Sequence, residues 1–320
     1  MKKDTKIVIS IIVGGLLIIS LLLIALFTVI GSTNTLSSAP NGDTVAVIPL
    51  QGEIGYSSSN SSDSVVTPEM MQNSITQAES DNSVSSIVID VNSPGGSPVA
   101  SEEIMNSIKS SKKPVVVWIS DVGASGAYLA SSSADKIIAS PSSMVGSIGV
   151  IMQITDLSKY YQANGINISS IKAGQYKDMG AEYQPLTTDE RNMLQGMVYQ
   201  DYDHFIDIVS TNRHLDKNYT EGIAQGKIYT GIQAKDLKLV DETGGKTVAL
   251  DEAAKLGGIK GSYNVITISP TSDLLNVLDN ISSKIAYSIG MGIGKDLENS
   301  TNNNLKVPST TNNYKLPSIY

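Results

Sequence analysis

The chain has 320 residues, 41% of them hydrophobic, enough for one sizeable α/β core and a small appendage. It has no cysteine, which excludes disulfides, thiolate nucleophiles and cysteine-bound zinc; its two histidines, His204 and His214, are too few for a histidine cage, so neither metal nor cofactor is expected. A net charge of −8 and a pI near 4.8 oppose nucleic acid or anionic lipid as the main partner.

Residues 1–6 include Lys2, Lys3 and Lys6, and residues 7–30 (IVISIIVGGLLIISLLLIALFTVI) carry no charge. As a helix this run extends roughly 36 Å at about 1.5 Å per residue, enough for a hydrocarbon core of about 30 Å. It is apolar all round, unlike a helix packed on a soluble core, and longer than the apolar region of a cleaved signal peptide. The next charge is Asp43, so the positive-inside rule predicts a single-pass anchor. Its N-terminus lies in the cytoplasm and everything after Gly31 lies outside. Residues 31–43 read as a polar linker, 44–262 as the folded domain, 263–298 as a strand plus an amphipathic helix, and 299–320 as a flexible tail.

Within the domain, TVAVIPLQGEI (44–54) reads as a strand and the Ser/Asn-rich stretch after it as a loop. Thr67 and Pro68 mark the N-cap and first turn of a helix whose Met71, Ile75 and Ala78 share a face. Three short apolar runs follow: SSIVIDV (85–91), PVVVWIS (114–120) and DKIIAS (135–140). The first two are separated by a helical stretch with Ile104, Met105 and Ile108 in phase, the last two by VGASGAYLA (122–130). Buried β-branched runs alternating with helices predict an α/β fold of parallel strands joined by crossover helices, with active residues at the strands' carboxyl ends. Further on, Thr187 and Glu190 form a capping box for a long helix with Leu194, Met197, Val198, Phe205, Ile208 and Val209 on its apolar side. An NVITI strand then precedes an amphipathic run with Leu274, Leu278, Ile281, Ile285 and Ile289 in phase.

Two Gly-bearing turns stand at strand ends. Ser125, at a helix N-terminus between Gly123 and Gly126, is either an ordinary cap among packing residues or a nucleophile beside free backbone N–H groups. NSPGG (92–96) is a second such turn, and together the two make the walls of an oxyanion hole, with the N–H groups of Gly126 and of Gly96 (or Gly95) as donors. The base is harder to assign. His204 and His214 read as a helix-surface residue and a helix C-terminal residue. A lysine base must be neutral, so its ordinary pKa of about 10.4 has to fall by about 3 units, roughly 4 kcal/mol, through burial away from carboxylates. Lys177 stands beside Tyr176 and Met179 in a Gly-bearing segment without helical period, yet a solvated surface lysine is the ordinary reading and Asp178 next to it opposes the role.

The N-terminal anchor, NSPGG, ASGAYLASSSADKIIASPSSMVGSIGV, KAGQYKD and GKIYTGIQAKDLKLVDETGG, in this order over about Val45–Gly245, resemble the signal peptide peptidase A family. The resemblance implies a Clp-protease/crotonase-like fold and a membrane-anchored serine endopeptidase with a Ser-Lys dyad, degrading remnant signal peptides and other short apolar peptides. Its A-S-G element falls on Ser125 as nucleophile, its G-x-Y-K element on Lys177 as general base and acid, and its supporting serine on Ser147. In short relatives the dyad is shared between subunits of a ring- or dome-shaped homo-oligomer, here expected to be octameric, in which assembly buries Lys177. The family's usual A-S-G-G has Ala127 at its last position here, a methyl expected to narrow the substrate pocket. A non-catalytic membrane scaffold of the same fold and a crotonase-like acyl-CoA enzyme are the alternatives.

Overall fold

The computed structural model describes residues 43–56 and 65–269. The anchor at 7–30, the helix read after residue 270 and the polar tail lie outside them. Among the described residues no helix is long and apolar enough to cross a membrane.

The strands β1 (Thr44–Gln51), β4 (Val84–Ser93), β5 (Val115–Ala124) and β6 (Lys136–Ala139) form the centre of a parallel sheet. It is extended by β10 (Asn264–Thr267) beside β1 and by β9 (Glu242–Thr243) beside β6. Between β1 and β4, β2 (Glu53–Ile54) and β3 (Val65–Val66) pair in a small sheet of their own. Gly52 separates β1 from β2 at φ +96°, which is why the single strand expected over 44–54 breaks there.

Alternation puts a different set of side chains on each face of the sheet. Ile48, Leu50, Ile87, Ile89, Val117 and Ile119 pack on α1 (Pro68–Ser80), α2 (Pro98–Lys109) and α3 (Gly126–Ser131). Val45, Val47, Val88, Val116 and Ile138 pack on Ala249, Ala253 and Ala254 of α8 (Lys246–Leu256). Burial of each such branched side chain contributes about 1.5–3 kcal/mol, so the apolar runs are buried on both sides, as their lack of polar alternation requires.

The helix starts follow from their caps. The Thr67 hydroxyl accepts from Met70 N at 3.2 Å and Ser97 caps Ala100 N at 3.4 Å, each before a proline in the first turn. After the short α4 (Ser158–Ala163), the Thr187–Glu190 capping box starts α5 (Thr188–Arg213). Such caps contribute about 1 kcal/mol each. Only the second half of α5 packs as expected: Phe205, Ile206 and Val209 are buried, Ile208 partly. Leu194 and Val198 are half-exposed, and Met197 is 51% exposed. The chain then runs through α6 (Lys217–Ile223), β8 (Ile228–Thr230) and α7 (Gly231–Asp236). β8 lies antiparallel to β7 (Met144–Gly146), which itself runs parallel to the far end of β5.

Candidate active site

The two Gly-bearing turns lie side by side because β4 and β5 are adjacent and parallel, with Ser93 opposite Gly123. Ser125 occupies the turn from β5 into α3 at φ 52° and ψ −125°, a conformation that costs a non-glycine residue about 1–3 kcal/mol. Two hydrogen bonds hold it there: Ser125 N donates to Gly146 O at 2.8 Å, and Leu129 N donates to Ser125 O at 2.9 Å. Its hydroxyl makes no capping bond, so the Oγ stays available above the helix start.

The Pro94–Gly96 turn is pinned against β2. Ile54 N donates to Gly95 O at 2.8 Å, and Ser97 N donates to Ile54 O at 2.9 Å. Both glycines are required. A methyl carbon at Gly95 would lie 2.5 Å from Gly126 N, and one at Gly96 would lie 2.0 Å from Ile54 O. A carbon added at Gly126 would sit 3.3 Å from Gly96 N, which gives the closeness of the two expected donors. The Gly95 N–H donates to Ser93 Oγ at 3.2 Å. Gly96 N and Gly126 N appear in no hydrogen bond of the described residues, and Gly126 begins a helix, where N–H groups have no intrahelical partner. Of the two glycines open at this turn, Gly96 is therefore the one with a free N–H.

Ser147 stands at φ 50° just past β7, whose pairing with β5 sets Gly146 opposite Ala124 and so brings Ser147 beside Ser125. Its N–H donates to Lys227 O at 2.7 Å. A cleft of about 740 Å³ collects Gly96, Ser125, Gly126 and Ser147. Its apolar lining includes Val99, Leu129, Ile151 and Phe205, and Glu102, Asp201 and His204 line it as well. His204 Nε2 lies 3.3 Å from Glu102 Oε1. His204 is thus a surface residue of α5 as expected, but its place at the cleft was not legible, because only the α2–α5 packing creates it. His214 is the left-handed C-cap of α5. Ala127 is fully buried and lines no part of the cleft, so its methyl faces the core rather than narrowing the pocket.

Lys177 is exposed and does not line the cleft. It stands in the segment 151–186, which packs little: Ile151, Ile166, Ile168 and Ile171 are all exposed, Ile171 completely. Four of the five expected site residues are therefore brought together, and the base is not among them. Among the described residues no three His, Cys, Asp or Glu side chains are grouped to hold a metal ion.

The sequence profile of peptidase family S49 matches residues 107–260. Over 302 residues the chain is 36% identical to "Putative protease MJ0651" of Methanocaldococcus jannaschii, covering 91% of this chain and 95% of that protein. The chain belongs to peptidase family S49. This S49 protein is a serine-type peptidase of the signal peptide peptidase A kind. It is also 34% identical over 190 residues to "Putative signal peptide peptidase SppA" of Enterococcus faecium, covering 58% of this chain and 55% of that one, so it spans about half of that relative's length. Among solved structures, a mutant of the 1510-N membrane-bound stomatin-specific protease superposes with a TM-score of 0.48 at 16% identity, over 72% of this chain and all of that one.

Proposed function

We propose that this S49 peptidase hydrolyses short apolar peptides, remnant signal peptides among them, by a Ser125–Lys177 dyad completed between copies of the chain. One observation carries the reading. An uncapped, strained serine faces two free backbone N–H groups in a cleft that, among the described residues, no lysine or arginine lines, while Lys177 stands exposed on an unpacked segment. Ser125 Oγ attacks the scissile carbonyl as Lys177 takes its proton, and Gly96 and Gly126 donate to the oxyanion. Lys177 then protonates the leaving amine, and a water molecule releases the acyl group by the same route. Ser147, beside Ser125, holds the lysine ammonium in place.

The unburied apolar surface supports assembly. Ile151 and Ile171 are exposed on the arm formed by residues 151–186, and Met197 and Tyr199 on the first half of α5, a pattern that suits contact with a second copy. A ring- or dome-shaped homo-oligomer of the Clp-protease/crotonase-like kind, octameric in this reading, brings Lys177 of one copy to Ser125 of the next. The charge-free run at residues 7–30 supports anchoring of this assembly at the outer face of the cell membrane. Val99, Leu129 and Phe205 suit apolar substrate side chains, and Glu102 and Asp201 disfavour acidic ones. The same carboxylates argue against coenzyme A, whose phosphates are themselves negative.

A fluorophosphonate probe tests the reading on the assembled chain. Labelling at Ser125, abolished in Ser125→Ala, supports it. An assembled but unlabelled protein overturns it in favour of a non-catalytic scaffold. A second reading, with His204 as base oriented by Glu102, draws on their shared place in the cleft; activity retained in Lys177→Ala and lost in His204→Ala selects it.

A further inference from the structure

The dyad reading leaves a difficulty: a carboxylate next to Lys177 favours the protonated amine, which is useless as a base. The structure around Asp178 removes it. The Lys172 ammonium pairs with Asp178 Oδ1 and also donates to Gln175 O at 3.1 Å. Tyr183 OH donates to Asp178 Oδ2 at 3.2 Å, and Ser170 Oγ in turn bonds Tyr183 OH. Gln184 Nε2 donates to Asp178 O at 3.3 Å, and Lys177 N donates to Gly174 O at 3.2 Å, closing the turn. Although the surrounding segment is exposed, the Asp178 side chain is only 12% exposed, turned back into the arm with both oxygens engaged, while Lys177 projects outward.

Resting on the Ser125–Lys177 reading, we propose that Lys172 is a positioning residue for the base. It holds the 174–178 turn that presents Lys177 and takes up the Asp178 charge, so that Lys177 reaches Ser125 as a neutral amine. The other groups facing this cluster are already committed. Glu190, in the first turn of α5, bonds Thr187 N and Oγ1 at 2.9 Å, and Tyr183 serves Asp178. The Lys172 hydrogen bond holds the Asp178 carboxyl below the ordinary carboxylate range, and Asp178 holds the Lys172 ammonium above its ordinary value. Both shifts widen the pH range over which the pair stays ionised.

The test is the pH profile of kcat/KM for the assembled full chain on a fluorogenic apolar peptide. Lys172→Met frees the Asp178 carboxylate and removes a neighbouring positive charge, both of which favour protonated Lys177. Activity at pH 7 falls about threefold or more and recovers at alkaline pH, moving the acid limb upward. Lys172→Arg restores the parent profile, and so does Asp178→Asn placed on Lys172→Met. A loss by the same factor at every pH marks a purely structural role and overturns the proposal, as does an unchanged profile. Lys177→Ala separates the two readings. Activity retained there overturns the dyad, whereas an inactive Lys177→Ala beside an unshifted Lys172→Met overturns only the positioning role.

Discussion

Replacing Gly95 by alanine is the sharpest structural probe of the oxyanion site. The new carbon lies 2.5 Å from Gly126 N and 2.8 Å from Ala124 O, at a φ of +96°. Both neighbours are backbone, so they yield only by moving the two turns apart, by about 1 Å to reach ordinary contact. A displacement of that size removes an oxyanion donor, and loss of one donor lowers kcat by about 10²–10³, or about 2.7–4 kcal/mol in the transition state. Gly126→Ala differs. Its carbon meets Ser101 Oγ at 2.2 Å, a side-chain atom, and Ser101 Cβ at 3.1 Å. Its overpacking of about 1–3 kcal/mol should fall when Ser101→Ala is added, with activity returning to within about tenfold of the parent. Steady-state kinetics on a fluorogenic apolar peptide, with urea melts of the same proteins, read both. A Gly95→Ala enzyme that keeps the parent kcat refutes the placement of the oxyanion between these turns.

Lys113 donates to Ala78 O at 2.7 Å and Asp81 O at 2.6 Å at the end of α1, so Lys113→Met should cost about 1–2 kcal/mol in urea melts without changing kcat. Tyr128 OH, fully buried, donates to Leu239 O at 2.8 Å, and Tyr128→Phe should cost about 1–2 kcal/mol by leaving that carbonyl unpaired. Hydrogen bonds from Ser83 hold the Asp81 carboxyl below its ordinary value. Its contribution is therefore complete above the ordinary carboxylate range and lost as pH falls through the lower folded value. Asp81→Asn should flatten that acid-side loss when melts at pH 3 and pH 7 are compared. Ile171→Asp and Met197→Asp place charge on exposed apolar positions and should shift the assembly toward smaller species in light scattering, with loss of peptidase activity.

The central strands, the capped helix starts and the two Gly-bearing turns were legible in the sequence because each depends on neighbours in the chain. Pro68 in a first turn, the Thr187–Glu190 box and the β-branched runs carry their own physical reasons. Long-range packing was not legible. The choice of Gly96 over Gly95 as the free donor depends on Ser93, and the closeness of His204 to Glu102 depends on α5 lying beside α2. The helical period of α5 suggested one continuous buried face, whereas only the half beyond residue 201 meets the core. A period records which residues share a face, not whether a partner covers it. For Lys177 the local sequence left only a lysine beside a carboxylate. The bonds from Lys172 and Tyr183 that occupy that carboxylate come from residues five or six positions away in an irregular segment, where no period announces them.

Complementation between two inactive variants tests the shared dyad most directly. Ser125→Ala and Lys177→Ala are each inactive alone in this account. Co-assembled in equal amounts, they form junctions that pair an intact Ser125 with an intact Lys177 from the neighbouring copy, so peptide hydrolysis returns to a measurable fraction of the parent rate. Verified mixed assemblies that stay inactive at every ratio, or a Lys177→Ala protein active by itself, contradict it.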